Sequence, residues 1–177
     1  MKQLFRLKDM NKNFNTLFVT MFGLGKIKII PGTFGSLATT ILLYFLFHIF
    51  NISSSIILFF LIVIFIISFI AVGYHIKNIE NKDPSEVIID EFIGQSIPIY
   101  IYEISHGTEK TPDEAIIFYI ISFVLFRFFD IIKPFPINYF DKNFKNSFGV
   151  IMDDVCAGLY VVLSLICFMI FKSYFIQ

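Results

Sequence analysis

Charge is what this sequence has least of. Asp, Glu, Lys and Arg make up 16% of the 177 residues, and the mean hydropathy is +0.77. An ordinary soluble domain is about a quarter charged, so this chain cannot coat a globular surface with charge. The deficit is concentrated, since no charged residue occurs from Ile29 to Ile76. With 56% hydrophobic residues the chain is not disordered. Its 14 basic residues only balance its 14 acidic ones, which excludes a basic nucleic-acid binder. Trp is absent while Phe numbers 25, and with the abundance of Ile this suggests a biased genome composition. Cysteine is scarce as well: Cys156 and Cys167 lie in one apolar run. On a helix they would stand about 16 Å apart, too far for a disulfide. With no C-x-x-C or Cys/His cluster there is no zinc or iron–sulfur signature, and His48, His75 and His106 are isolated. What remains is an integral membrane protein, expected as a single domain over residues 1–177.

Lys2, Arg6, Lys8 and Lys12 precede the apolar run Leu17–Leu24, as in a short signal sequence. No small-x-small cleavage site follows before Lys26 and Lys28, so the stretch is expected to stay as an amphipathic segment on the membrane surface. Five apolar segments follow: Ser36–Phe50, Ser55–Gly73, Phe92–Tyr102, Ala115–Ile132 and Val155–Phe171. A crossing takes about 20 residues. The second, fourth and fifth qualify, and the first does when extended back through Ile30. The third is short and holds Pro98, which suits a re-entrant segment or one packed inside the bundle. The expected fold class is all-α, a polytopic helical membrane bundle with four or five spanning segments behind the amphipathic N-terminal one. If all five cross and the N-terminus is inside, every Lys and Arg except Lys110 and Lys172 falls on the inner side.

Four polar clusters then share that inner side. Pro31-Gly32-Thr33-Phe34-Gly35-Ser36 begins the first segment, and Asp90-Glu91-Phe92-Ile93-Gly94 begins the third. Arg127, Asp130 and Lys133 close the fourth ahead of Pro134, and Asp153-Asp154 opens the fifth. Taken singly, three of these have plain readings: a turn with Thr33 or Ser36 as N-cap, or carboxylates complementing a helix dipole. The three-residue spacing of Arg127, Asp130 and Lys133 puts them on roughly one helix face, where unpaired ionisable groups are costly. Together, five carboxylates need a counter-charge. Hard oxygen ligands suit Mg²⁺, while Arg127, Lys133 and the amides near Thr33 could clamp an anion. Carboxylates, a divalent cation and a phosphate clamp point to phosphoryl chemistry at the membrane surface.

These motifs resemble phosphatidylglycerophosphatase A. The resemblance covers residues from about 22 to 170, and its most specific part is Phe126-Arg127-Phe128-Phe129-Asp130-Ile131-Ile132-Lys133-Pro134-Phe135-Pro136-Ile137. Family members often carry Trp after the Asp-Glu-x-x-Gly block and within the Lys-Pro-x-Pro block; this chain has Gln95-Ser96 and Phe135 there. The resemblance implies Mg²⁺-dependent removal of the terminal phosphate from phosphatidylglycerophosphate, giving phosphatidylglycerol. It also implies a multi-pass protein of the bacterial inner membrane with a cytoplasmic active face and N-terminus. The expected metal ligands are Asp90, Glu91, Asp153 and Asp154. Arg127 and Lys133 are expected to stabilise phosphoryl charge, and Asp130 to orient Arg127 or serve as general base. Gly32, Thr33, Gly35 and Ser36 are expected to bind the substrate's phosphate or glycerol linkage. Two alternatives carry less. A small transporter or channel using an Arg/Asp relay would place its charges near mid-membrane. A CDP-alcohol phosphotransferase would need further Asp residues downstream, and no Asp or Glu follows Asp154.

Overall fold

The computed structural model describes residues 12–77, 85–106 and 112–175, and every regular element among them is a helix. Helix α1 (12–19) leads through a 3-10 turn, Leu24–Lys26, to α2 (Pro31–Tyr44), which runs on as a π-helical stretch, Phe45–Ile49. Then follow α3 (Ser54–Ile76), α4 (Ile89–His106), α5 (Pro112–Ile132), the short α6 (Ile137–Asn143) and α7 (Ser147–Phe175). Four stretches are long and apolar enough to cross a membrane: Pro31–Ile49, Ser54–Ile76, Asp113–Ile132 and Ser147–Tyr174. Their outward faces carry Ile, Leu and Phe, such as Phe59, Ile70, Ile117 and Phe168, as lipid contact requires. Lys2, Arg6, Lys8, Lys82 and Lys110 lie outside the described residues.

Helix α4 is the exception, and it is the axis of the bundle. It packs against α2, α3, α5 and α7. Nearly every position from Ile89 to Ser96 is buried, as are Pro98, Ile99, Tyr102 and Glu103. Being enclosed by protein, it can carry Asp90, Glu91, Gln95, Ser96 and Glu103 without exposing them to hydrocarbon. Of the two readings open for the third segment, packing inside the bundle is the one observed. At its far end the Glu103 carboxylate meets His48 Nε2 and accepts a hydrogen bond from the Tyr119 hydroxyl, both at 3.1 Å, tying α2, α4 and α5 together. His75 similarly meets Glu86 at 2.9 Å, fastening the end of α3 to the segment before α4.

Small residues set the closest approaches. A Cβ on Gly94 would lie 2.5 Å from the Asp154 carbonyl oxygen and 2.7 Å from the Phe126 ring, and one on Gly158 would run into the Gly94 carbonyl oxygen. Helices α4 and α7 therefore touch backbone to backbone, as small residues allow in membrane bundles. Asp90 precedes Gly94 by four residues, and Asp154 precedes Gly158 by four, so each carboxylate sits one turn before the contact on the same face.

Three local expectations are corrected. Helix α7 begins at Ser147, well before Val155, because the Asn146 side-chain oxygen accepts the N–H groups of Phe148 and Gly149, each at 3.1 Å. This is an N-cap, so Asp153 and Asp154 lie well inside the helix and do not open it. Helix α2 begins with Pro31 at its first position, following Ile30 at φ 44°, so Thr33 and Ser36 lie inside the helix and do not cap it. Finally, α5 ends at Ile132, and Lys133, at φ 48°, is off the helix. A residue preceding proline is disfavoured in the right-handed helical region, so Lys133 cannot continue the face of Arg127 and Asp130.

Candidate active site

The starts of α2 and α4, the end of α5, α6 and the early turns of α7 meet at one end of the bundle. Asp90 and Glu91 stand in the first turn of α4, with the Glu91 N–H donating to Asp90 Oδ1 at 3.2 Å. The glycine contact presses this turn against α7 and brings in Asp154. Asp90, Glu91 and Asp154 each offer a carboxylate oxygen, and these oxygens lie within 4.8 Å of one another. Asp90 and Asp154 are buried, and Glu91 Oε2 is a buried oxygen with no hydrogen-bond partner. Three carboxylates this close repel one another strongly unless a cation or protons intervene. An all-oxygen set with an unpartnered buried oxygen fits a hard divalent cation such as Mg²⁺.

The cationic half of the site adjoins it. Arg127 Nη1 pairs with Asp130 Oδ2 at 3.0 Å and donates to Ser36 Oγ at 3.3 Å. Ser36 in turn donates to the Gly32 carbonyl oxygen at 2.9 Å. A Cβ on Gly32 would collide with Glu91 Oε1 and lie 3.3 Å from Arg127 Nη1. Glycine at this position thus lets the Glu91 carboxylate and the guanidinium close on the backbone of α2. Lys133, freed from the helix, reaches sideways. Its Nζ lies 2.9 Å from Asp141 Oδ1 on α6 and 2.9 Å from Asp153 Oδ2 on α7. Burial acts to lower the Lys133 pKa, but the two carboxylates outweigh it and hold the ammonium above the ordinary lysine range.

Most of the residues expected from sequence converge here, in a different grouping. Asp90, Glu91 and Asp154 form one cluster, whereas Asp153 is engaged with Lys133. Gly32 lies against the Glu91 carboxylate and Ser36 against the Arg127 guanidinium. Gly35 is packed one turn further on, where a Cβ would lie 3.2 Å from Ile88 Cβ. Thr33 is half-buried in the first turn of α2, but its N–H and that of Phe34 are directed to the Ile30 carbonyl, at 3.1 and 3.4 Å. Those two amides are therefore occupied rather than presented to an anion. Asp141 was not among the expected residues. It lies on a helix of only seven residues, and nothing in its sequence neighbourhood sets it apart from a surface carboxylate.

An all-helical membrane protein with clustered carboxylates beside an arginine and a lysine has the equipment of an enzyme acting on phosphate at a membrane surface. Residues 17–169 match the sequence profile of phosphatidylglycerophosphatase A. The chain belongs to that family of phosphatases. It is 35% identical over 152 residues to phosphatidylglycerophosphatase A of Haemophilus influenzae, covering 83% of each chain. It is 28% identical to the Escherichia coli protein of the same name, over 81% of this chain and 76% of that one. It is also 33% identical, over 81% of this chain and 86% of the other, to a Bacteroides thetaiotaomicron protein provisionally named a phosphatidylinositol-3-phosphatase. No solved structure matches the chain.

Proposed function

We propose that the protein removes the terminal phosphate of phosphatidylglycerophosphate, with Mg²⁺ as cofactor, at the cytoplasmic face of a bacterial inner membrane. The observation that carries this reading is the Asp90–Glu91–Asp154 cluster, with its oxygens within 4.8 Å, beside the Arg127–Asp130 pair. Family membership and two relatives named phosphatidylglycerophosphatase A support the substrate. The charge pattern supports the orientation: Lys26, Lys28, Lys77, Lys133, Lys142 and Lys145 all flank the site end of the bundle.

Each side chain then has a task. Asp90, Glu91 and Asp154 would hold the cation, which when bound supplies Lewis-acid charge to the phosphoryl group. Arg127 binds phosphoryl oxygens through its fork of donors, and Asp130 fixes the guanidinium plane from 3.0 Å away. Asp130 is thereby proposed as an orienting residue in preference to a general base. Lys133 has three N–H donors; Asp141 and Asp153 engage two, leaving one for the phosphate. Asp153 is thus proposed as an anchor for Lys133 instead of a fourth metal ligand. Gly32, by admitting Glu91, and Ser36, by holding Arg127, position the charged groups that would meet the phosphate. Water attacks phosphorus, the bond from phosphorus to the glycerol oxygen breaks, and that oxygen leaves as the alcohol of phosphatidylglycerol with inorganic phosphate as co-product.

The test is phosphate release by the purified full chain in detergent micelles, supplied with phosphatidylglycerophosphate, phosphatidylinositol 3-phosphate or phosphatidic acid. Release from the first at a kcat/KM at least about tenfold above the others is expected. Preference for the inositol lipid would overturn the headgroup assignment, and release from none of the three would overturn the phosphatase reading.

A further inference from the structure

Near the carboxylate cluster a groove of about 340 Å³ opens between α3 and α4, with Val155 of α7 also lining it. One wall is Leu58 and Ile62 of α3, which are 40% and 47% exposed and belong to a membrane-crossing helix. The other wall is the α4 face running from Phe92 to Ile101. The lining is almost entirely hydrocarbon. Ser96, which lies along it, donates its hydroxyl to the Phe92 carbonyl oxygen at 2.6 Å and offers no proton to a ligand. Beyond the Tyr100 hydroxyl a polar occupant would find few partners there.

The position of the groove says what fills it. Phe92 follows Glu91 directly and Val155 follows Asp154, so one end of the groove lies at the level of the two carboxylates on α4 and α7. From Phe92 to Ile101 the helix rises about 14 Å. That is close to half of the ~30 Å hydrocarbon core, a length that one acyl chain can follow. A diacyl lipid whose headgroup phosphate sits at the cluster carries its tails into this space, and tethering makes entry of its own chain an intramolecular event. We propose that the groove is a subsite for one acyl chain of the phospholipid substrate, so the enzyme grips its substrate by tail as well as by headgroup. This rests on the lipid-phosphatase reading above.

Two measurements on the full chain in mixed micelles test it. In the first, phosphatidylglycerophosphate carrying a diazirine in one acyl chain is photolysed on the protein. Labels are expected on the Leu58–Ile62 and Phe92–Ile101 peptides, reduced by unlabelled phosphatidylglycerophosphate and not by phosphatidylcholine. Labels spread over the outward faces of α5 and α7, or competed equally by phosphatidylcholine, would show a space filled by bulk lipid and overturn the proposal. In the second, KM is compared for the diacyl substrate and its deacylated, water-soluble headgroup. Ile62→Trp, which fills the groove from the lipid side, should raise the ratio of the two values about tenfold, while Ile62→Ala should change it less than about twofold. An unchanged ratio in Ile62→Trp would contradict the subsite. Wild type alone reports on the premise: if it releases phosphate from neither compound, the proposed function fails, a result distinct from release with no dependence on the groove.

Discussion

Glu91 is the residue on which the metal proposal turns, because its Oε2 is buried without a partner while its other oxygen fills the space beside Gly32. Glu91→Gln keeps the shape and removes the charge. Activity is expected to fall by about two to three orders of magnitude, with apparent Mg²⁺ affinity weakened and the helical circular-dichroism signal retained. Lys133 and Asp141 separate along another axis. Lys133→Met should lower kcat about 10²-fold or more, since it removes a donor to the developing phosphoryl charge. Asp141→Asn leaves Asp153 still 2.9 Å from the ammonium, so a loss of only about tenfold is expected in the same assay. Equal losses in the two variants would show that Lys133 acts only by linking α6 to α7. The acidic pairs and Arg127 were legible in the sequence because charges in so apolar a chain demand a reason. Asp141 was not, since its importance comes from Lys133 turning out of the helix at Pro134, a feature of backbone geometry that no spacing announces.

At the level of helices, α4 and α7 make the site by touching at Gly94 and Gly158. A methyl group on Gly158 would run into the Gly94 carbonyl oxygen, which is backbone and cannot swing aside. Gly158→Ala is expected to destabilise the bundle by about 1–3 kcal/mol and to separate Asp154 from Asp90 and Glu91. A lowered thermal midpoint in detergent together with weaker Mg²⁺ dependence would show this; an unchanged protein would mean that the two helices can slide apart without consequence. The four lipid-facing helices are legible in the sequence because uninterrupted apolar runs identify them. The start of α7 is not, because Ser147–Asp154 mixes polar and apolar residues and the capping role of Asn146 shows only in its hydrogen bonds to Phe148 and Gly149. The full length of the third segment is hidden for a related reason. A helix packed against four others can be polar wherever protein supplies partners, as His48 and Tyr119 do for Glu103, and hydropathy cannot register those partners.

For the whole molecule, the polar ends of α2, α4, α5 and α7 lie on one side, and the basic flanks predict that this side is cytoplasmic. With Cys156 and Cys167 replaced by Ala, a cysteine at the exposed Lys145 should resist an impermeant maleimide in intact cells and react once they are opened. A cysteine at the exposed Asn51 should react in both. The reverse pattern would invert the topology and place the chemistry on the other face. If the carboxylate cluster, by holding a divalent cation, drives phosphate release from a lipid headgroup, the measurement that decides it is release from phosphatidylglycerophosphate by purified wild type and Asp154→Asn, each with Mg²⁺ and after chelation. Release by wild type that requires Mg²⁺ and drops at least about 100-fold in Asp154→Asn is the expected result. Undiminished release after chelation, or full activity in well-folded Asp154→Asn, would contradict it.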